Sequence, residues 1–184
     1  MPTLPNAEQL LDQLVERLRP RAGPETGMIG IVTGGAWVAE RLHQALGLAQ
    51  PLGLMDISFY RDDYSSAGLK ASVKPSRIPF DVEGRDILLV DDVLYTGRTT
   101  RAALNELFDY GRPRSVTLIV LADRDERQLP IAAQFVGATV AVPRGMSLEL
   151  RRDEAGRLAL ALEPRIDAGN APSAPSHSSS GPAA

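Results

Sequence analysis

Asp86-Ile87-Leu88-Leu89-Val90-Asp91-Asp92-Val93-Leu94-Tyr95-Thr96-Gly97-Arg98-Thr99-Thr100 is the run on which the fold turns. Its opening, Ile87-Leu88-Leu89-Val90, is a short unbroken apolar stretch, the pattern of a strand buried on both faces. Two adjacent acids, Asp91 and Asp92, stand at the carboxyl end of that strand. A turn of small and hydroxyl residues follows, Thr96-Gly97-Arg98-Thr99-Thr100. From Thr99 to Phe108 the spacing of Ala103, Leu104, Leu107 and Phe108 predicts a helix. In open α/β sheets, ligands bind beyond the carboxyl ends of strands. A helix start presents unpaired N–H groups and the positive end of its dipole, which suits an anion such as phosphate. Gly97 allows close backbone approach, and Thr96, Thr99 and Thr100 add hydroxyl donors. The paired carboxylates suit a ribose diol or a hard cation such as Mg2+. A ligand carrying ribose hydroxyls and a 5′-phosphate matches both ends. Taken singly, the pieces are a polar strand end and a helix cap; their unbroken order carries the ligand reading. A Walker-type phosphate loop is a poor rival, because no Gly-Lys-Ser/Thr occurs.

Working outward, Leu10, Leu11, Leu14, Val15 and Leu18 predict a first amphipathic helix over Ala7 to Arg19, with Asn6 as N-cap. Pro20 and Gly23-Pro24 end it. Met28 to Val32 reads as a buried parallel strand, Thr33-Gly34-Gly35 as a tight turn, and Trp37 to Leu46 as a helix closed by Gly47. Met55 to Tyr60 reads as the next strand. Arg61 to Pro79 is polar and aperiodic, and a loop of that length inside a domain is usually functional or disordered. Ser115 to Ala122 is another apolar strand, with shorter candidates at Val136 to Val142 and Met146 to Leu150. Asp153-Glu154-Ala155-Gly156 reads as a turn between Leu148–Arg151 and Leu158–Leu162, a terminal hairpin. Strands alternating with helices predict an α/β domain with a mainly parallel central sheet flanked by helices and a C-terminal antiparallel hairpin. The domain is expected to span residues 1–167. Residues 168–184 are Ala, Pro, Ser and Gly with few bulky apolar residues, so a disordered tail is expected there.

The chain of 184 residues, 43% hydrophobic and 23% charged, fits one globular domain with a sizeable core. The absence of cysteine excludes disulfides, thiolate metal sites and cysteine nucleophiles. Two histidines, His43 and His177, are too few for a histidine metal cage. Met1 to Leu14 lacks a basic start followed by an apolar run, so no secretory leader is expected, and no stretch is apolar enough to span a bilayer. A cytoplasmic location follows by default. The net charge of −3 argues against tight nonspecific nucleic-acid binding.

The run Asp86 to Thr99 resembles the phosphoribosyl-diphosphate signature of type I phosphoribosyltransferases. Its Val-Leu-Tyr-Thr-Gly-Arg-Thr form, Val93 to Thr99, is similar to the pyrimidine operon regulator family, PyrR. Asp56-Ile57-Ser58-Phe59-Tyr60-Arg61-Asp62-Asp63, Ile78-Pro79-Phe80-Asp81-Val82, Gly111-Arg112-Pro113, Leu129-Pro130-Ile131 and Val136-Gly137 match in family order. The resemblance covers about Met28 to Val142 and implies the type I phosphoribosyltransferase fold. Members combine uracil phosphoribosyltransferase activity with binding of pyrimidine-operon messenger RNA. The implied reaction is uracil plus 5-phosphoribosyl diphosphate giving UMP and pyrophosphate, with Mg2+. It needs charge stabilisation more than a nucleophile. A nucleotide-sensing, RNA-binding regulator with weak or no catalysis is the alternative, and a relative using a purine base is the weakest reading. A homo-oligomer, dimer or higher, is implied by analogy.

By the same resemblance, Asp91 and Asp92 contact the ribose hydroxyls directly or through Mg2+. Tyr95, Thr96, Gly97, Arg98, Thr99 and Thr100 hold the ribose 5-phosphate. Thr33, Gly34 and Gly35 form the pyrophosphate loop. Tyr60, Arg61, Asp62 and Asp63 open a loop that closes over substrate and excludes water. Arg61, with Lys70 and Lys74, supplies charge to the leaving pyrophosphate, while each lysine taken singly reads better as a solvated loop residue. Ala122, Asp123 and Arg124 lie near the base. The chain departs from the family at three places. Position 34 is glycine where the loop usually reads Thr-Arg-Gly. Asp125 and Glu126 replace the Gly-His of an Asp-Arg-Gly-His-Arg run. The N-terminal RNA contacts are not recognisable in Met1 to Gly27. Arg17, Arg19 and Arg21, and Arg151, Arg152 and Arg157, are candidate RNA patches, each more simply read as exposed surface arginines.

Overall fold

Residues 3–57 and 76–165 are described by a computed structural model of the protein. Helix α1 (Ala7–Leu18) is followed by β1 (Gly27–Ile31), α2 (Gly34–Leu46), β2 (Gly53–Met55), β3 (Asp86–Leu94) and α3 (Arg98–Asp109). Then come β4 (Ser115–Asp123), β5 (Phe135–Thr139), β6 (Met146–Arg152) and β7 (Leu158–Pro164). The first five strands form one sheet in the order β2-β1-β3-β4-β5, with every neighbouring pair parallel. Strands β6 and β7 form a separate antiparallel hairpin. The α/β architecture and the terminal hairpin are therefore as the sequence pattern anticipates.

The two sheet faces divide the core by alternation along the strands. Met28, Leu88, Val90, Ile119 and Leu121 face α1 and α2, packing with Leu14, Leu18, Val38 and Leu42. Ile29, Ile31, Ile87, Leu89 and Val120 face α3, packing with Ala103 and Leu107. Helix α1 starts where its cap requires, since the Asn6 side chain accepts from the N–H groups of Glu8 and Gln9 at 3.0 and 3.2 Å. The hairpin buries Leu148, Leu150, Leu158 and Leu160 in the first core. A carboxylate fixes it there: Glu8 accepts from Leu158 N at 2.8 Å and pairs with Arg41 at 2.5 Å. The hydrogen bond from Arg41 is the main reason that the Glu8 carboxyl sits below its ordinary pKa.

Several boundaries differ from the sequence reading; the strand read over Val136 to Val142, for one, runs over Phe135–Thr139. Thr33-Gly34-Gly35 is not a free turn; α2 begins at Gly34, with Thr33 in the N-cap position. The strand read over Met55 to Tyr60 ends at Met55 and begins earlier, at Gly53. Strand β1 ends at Ile31, which pairs with Met55, so the ladder has no further partner. Beyond it, the Asp56 N–H donates to the Ser76 hydroxyl at 2.9 Å instead. Arg77, read as part of the long loop, bridges Leu54 antiparallel. Residues 58–75 and 166–184, which hold most of that loop and the anticipated tail, lie outside the described residues.

Candidate active site

The strand order fixes where the crevice opens. The chain leaves β1 towards β2 on one side and enters β3 on the other, so the topological switch lies between β1 and β3. Their ladder closes at Gly30 and Val90. Past that point β1 runs into Thr33-Gly34-Gly35 and β3 carries Asp91 and Asp92. The two segments touch because neither glycine has a side chain. A Cβ at Gly35 would stand 2.7 Å from Val90 O and 2.8 Å from Asp91 Cα. A Cβ at Gly34 would overlap the Asp92 carboxyl group. Asp91 is buried, and its Oδ1 accepts from Asp92 N at 3.0 Å. Asp92 is half-buried, and its carboxylate makes no hydrogen bond or ion pair among the described residues.

The turn after β3 ends at Gly97, whose φ of 89° is open to glycine at little cost, and α3 starts there with no side-chain cap. The Thr96 hydroxyl accepts from Arg98 N at 3.3 Å. Thr100 is 1% exposed, and its hydroxyl has no hydrogen-bond partner among the described residues. A buried unpaired hydroxyl costs about 1–3 kcal/mol, so its persistence at a helix N-terminus calls for an oxygen-rich ligand. All of Asp91 to Thr100 lines a cavity of about 560 Å³.

The hairpin supplies the facing wall, with Ser147, Leu148 and Glu149 from β6 and Arg165 just past β7. Tyr95 joins the two walls. Its ring lies under Arg124 at 3.9 Å and Arg165 at 5.5 Å, and its hydroxyl accepts from Arg165 at 3.0 Å. These cation–π contacts hold the ring on the hairpin side of the motif.

Of the residues expected at the site, Asp91, Asp92 and Tyr95 to Thr100 come together in the cavity, with Gly34 and Gly35 beside the two acids and Thr33 preceding them at the N-cap of α2. The Ala122-Asp123-Arg124 group separates. Arg124 lines the cavity, whereas Ala122 is fully buried in β4 and Asp123 accepts from Arg127 at 2.5 Å. Tyr60 to Asp63, including Arg61, and Lys70 and Lys74 lie outside the described residues. Ser147, Glu149, Arg165 and Gln128 were not singled out from sequence. They reach the cavity only because the hairpin and the loop after β4 fold back over it, and no local pattern marks them.

The departures at 125 and 126 acquire a structural account. Asp125 has φ 54°, the left-handed conformation that favours the family's glycine, and its N–H donates to Asp123 Oδ1 at 2.7 Å. Glu126 accepts twice from the buried Arg124, at 3.1 and 2.8 Å. The described cavity lining includes Arg124 and Gln128 but neither acid. The candidate RNA arginines are mostly engaged. Arg17 donates to Val136 O, while Arg19, Arg151, Arg152 and Arg157 pair with Glu16, Glu163, Glu40 and Asp153.

Among the described residues no cluster of three or more metal-ligating side chains occurs, so the protein alone offers no closed cage. Mg2+ rarely needs one, since it binds through one or two carboxylates and completes its shell with water and substrate oxygens. The unpaired Asp92 carboxylate beside Asp91 fits that demand.

A family model, the phosphoribosyl transferase domain, matches residues 3–145. The chain belongs to the phosphoribosyltransferase family, in its PyrR branch. The bifunctional protein PyrR of Pseudomonas putida is 50% identical over 172 residues, covering 86% of this chain and 99% of the relative. The bifunctional protein PyrR of Pseudomonas fluorescens is 53% identical over 142 residues, covering 75% and 84%. Among solved structures, a hypoxanthine phosphoribosyltransferase of Staphylococcus aureus has a TM-score of 0.58 at 24% identity, over 75% of this chain and 74% of that one. The Trypanosoma cruzi enzyme of the same name gives 0.60 at 21% identity, over 77% and 81%. These two share the fold.

Proposed function

We propose that the protein makes UMP and pyrophosphate from uracil and 5-phosphoribosyl diphosphate, and that it takes part in regulating pyrimidine biosynthesis genes. The observation that carries the reading is the Thr100 hydroxyl at the start of α3, buried and without a partner among the described residues, on a residue that lines the cavity together with a pair of acids. In this reading Thr96 to Thr100 hold the 5′-phosphate, and Asp91 and Asp92 hold the ribose hydroxyls or Mg2+. When bound, Mg2+ would neutralise charge on the departing pyrophosphate. Thr33, Gly34 and Gly35 take the pyrophosphate through backbone N–H groups at the α2 N-terminus, with Arg61 adding charge. Arg124 and the hairpin residues flank the uracil. The hairpin wall keeps water from a ribosyl centre that develops positive charge. Residues 1–167 act as one catalytic unit, residues 168–184 as a tail, and the protein works in the cytoplasm as a homo-oligomer. No described helix is long and apolar enough to cross a membrane.

UMP formation from uracil, phosphoribosyl diphosphate and Mg2+ tests the enzyme reading, with hypoxanthine as the competing base. Turnover with hypoxanthine and none with uracil overturns the base assignment. One observation favours the second reading, a nucleotide-sensing regulator with little catalysis: Gly34 brings no cation to the pyrophosphate loop. Retained UMP binding without turnover would select it. Regulation through RNA requires the protein to bind its own pyrimidine-operon leader better than unrelated RNA across a salt series.

A further inference from the structure

The ribose-phosphate turn is gripped from behind by the loop that follows β4. Three consecutive carbonyls, the last of β3 and the first two of the turn, each accept from the end of β4 and this loop. Leu94 O accepts from Arg124 N at 3.0 Å. Tyr95 O accepts from the Arg127 guanidinium at 3.3 Å. Thr96 O accepts from both Gln128 N and Leu129 N at 3.1 Å. Two side chains complete the grip. Gln128 accepts from the Arg98 guanidinium at 3.3 Å, and Ile131 packs on Gly97, where a Cβ would stand 3.1 Å away.

Arg127 is the residue that gives this loop its shape. Besides Tyr95 O, its fork reaches Asp123 at 2.5 Å and Ile131 O at 3.1 Å. One guanidinium thus ties the end of β4, the far side of the loop and the phosphate turn. Peptide planarity gives the grip a directional consequence. In a trans peptide, the C=O of one residue and the N–H of the next point oppositely. Carbonyls 94, 95 and 96 turned to the β4 side therefore turn the N–H groups of Tyr95, Thr96 and Gly97 to the other side, away from the loop. An anion site needs donors aimed before the ligand arrives.

We propose that Arg127, which stands outside the cavity lining, is a positioning residue for the phosphate site: helped by Gln128 at the cavity rim, it holds the Tyr95–Arg98 turn in its donor-presenting form. This rests on the reading above that the turn binds a 5′-phosphate, and it assigns the Asp123–Arg127 run to the phosphate end of the ligand as well as to the base end.

The test compares dissociation constants of UMP and uridine, whose ratio isolates the 5′-phosphate. Arg127→Lys keeps a cation for Asp123 but loses the fork that spans three acceptors. The expected result is a fall of about tenfold in the uridine-to-UMP ratio, with uridine binding itself little changed. Gln128→Ala, at an exposed position, should lower the ratio less and leave the fold intact. It decides the matter if Arg127→Lys fails to fold. A role in stability alone would lower Tm and weaken both ligands equally, which overturns the proposal. So does an unchanged ratio in folded Arg127→Lys. If the unmodified protein shows no preference for UMP over uridine, the phosphate reading of the turn fails instead.

Discussion

The two ends of β3 are built from the same kinds of side chain and treat them in opposite ways. At the amino end, Asp86 is saturated: Arg114 grips both of its oxygens and the Ser115 hydroxyl donates at 2.7 Å. Those hydrogen bonds, Arg114 first, lower its pKa to about 2. At the carboxyl end, Asp92 has no partner among the described residues and the Thr100 hydroxyl is buried without one. A folded chain ordinarily pairs its buried polar groups. One end of β3 is therefore finished by the protein, and at the other Asp92 and Thr100 are left for something else to complete.

That contrast can be broken by experiment. The largest effect is expected from Asp92→Asn, with activity falling on the order of a hundredfold while the ligand-free Tm stays put. An equal loss of Tm would give Asp92 a structural role and end the comparison. Gly35→Ala comes next. Its Cβ would meet backbone atoms of β3, which cannot swing aside, so a loss of about 1–3 kcal/mol in denaturant unfolding is expected. Thr100→Val removes a hydroxyl that has no partner among the described residues. Stability should hold or rise by about 1 kcal/mol while UMP affinity falls about tenfold, and calorimetry reads both. The smallest effect belongs to the finished end. Asp86→Asn should cost under about 1 kcal/mol at neutral pH, because the pair is largely exposed. The folded-state pKa is depressed, so this contribution is present above the ordinary value of 3.8 and lost as pH falls towards about 2. A difference between variant and parent that is undiminished at pH 2 would contradict the assignment.

The finished end and the open end were not equally legible. Ile87 to Thr100 announced its strand, acids, turn and helix because each is written in consecutive residues. The cap at Asn6 and the hairpin turn at Asp153 to Gly156 were legible for the same reason. The early end of β2 was not, because a strand's length depends on the partner beside it. The grip of Arg127 on Tyr95 O and the reach of Arg165 to the Tyr95 hydroxyl were invisible as well. They join residues distant in sequence, and nothing in an isolated arginine says which carbonyl it will find. Glu126 looked like an intruder beside the base until its partner, the buried Arg124, was in view.

Gly34 has a consequence for how this protein can change. Its missing side chain and the present orientation of Asp92 exclude one another's alternatives. The two atoms that would clash are the carboxyl oxygen and carbon, which rotation of the acid moves away, while Asp92 Cβ at 3.0 Å stays fixed, so a residue introduced at 34 would be met by rotation of the acid together with a small backbone adjustment. Position 34 thus acts as a setting on the orientation of Asp92. A larger residue there penalises only the orientation that leans on the loop, and any ligand that draws the acid elsewhere is spared that penalty. A substitution at 34 would therefore be judged differently by a measurement on the empty protein and by one on the loaded protein. The order in which mutations at 34 and 92 arise would decide which of them is tolerated.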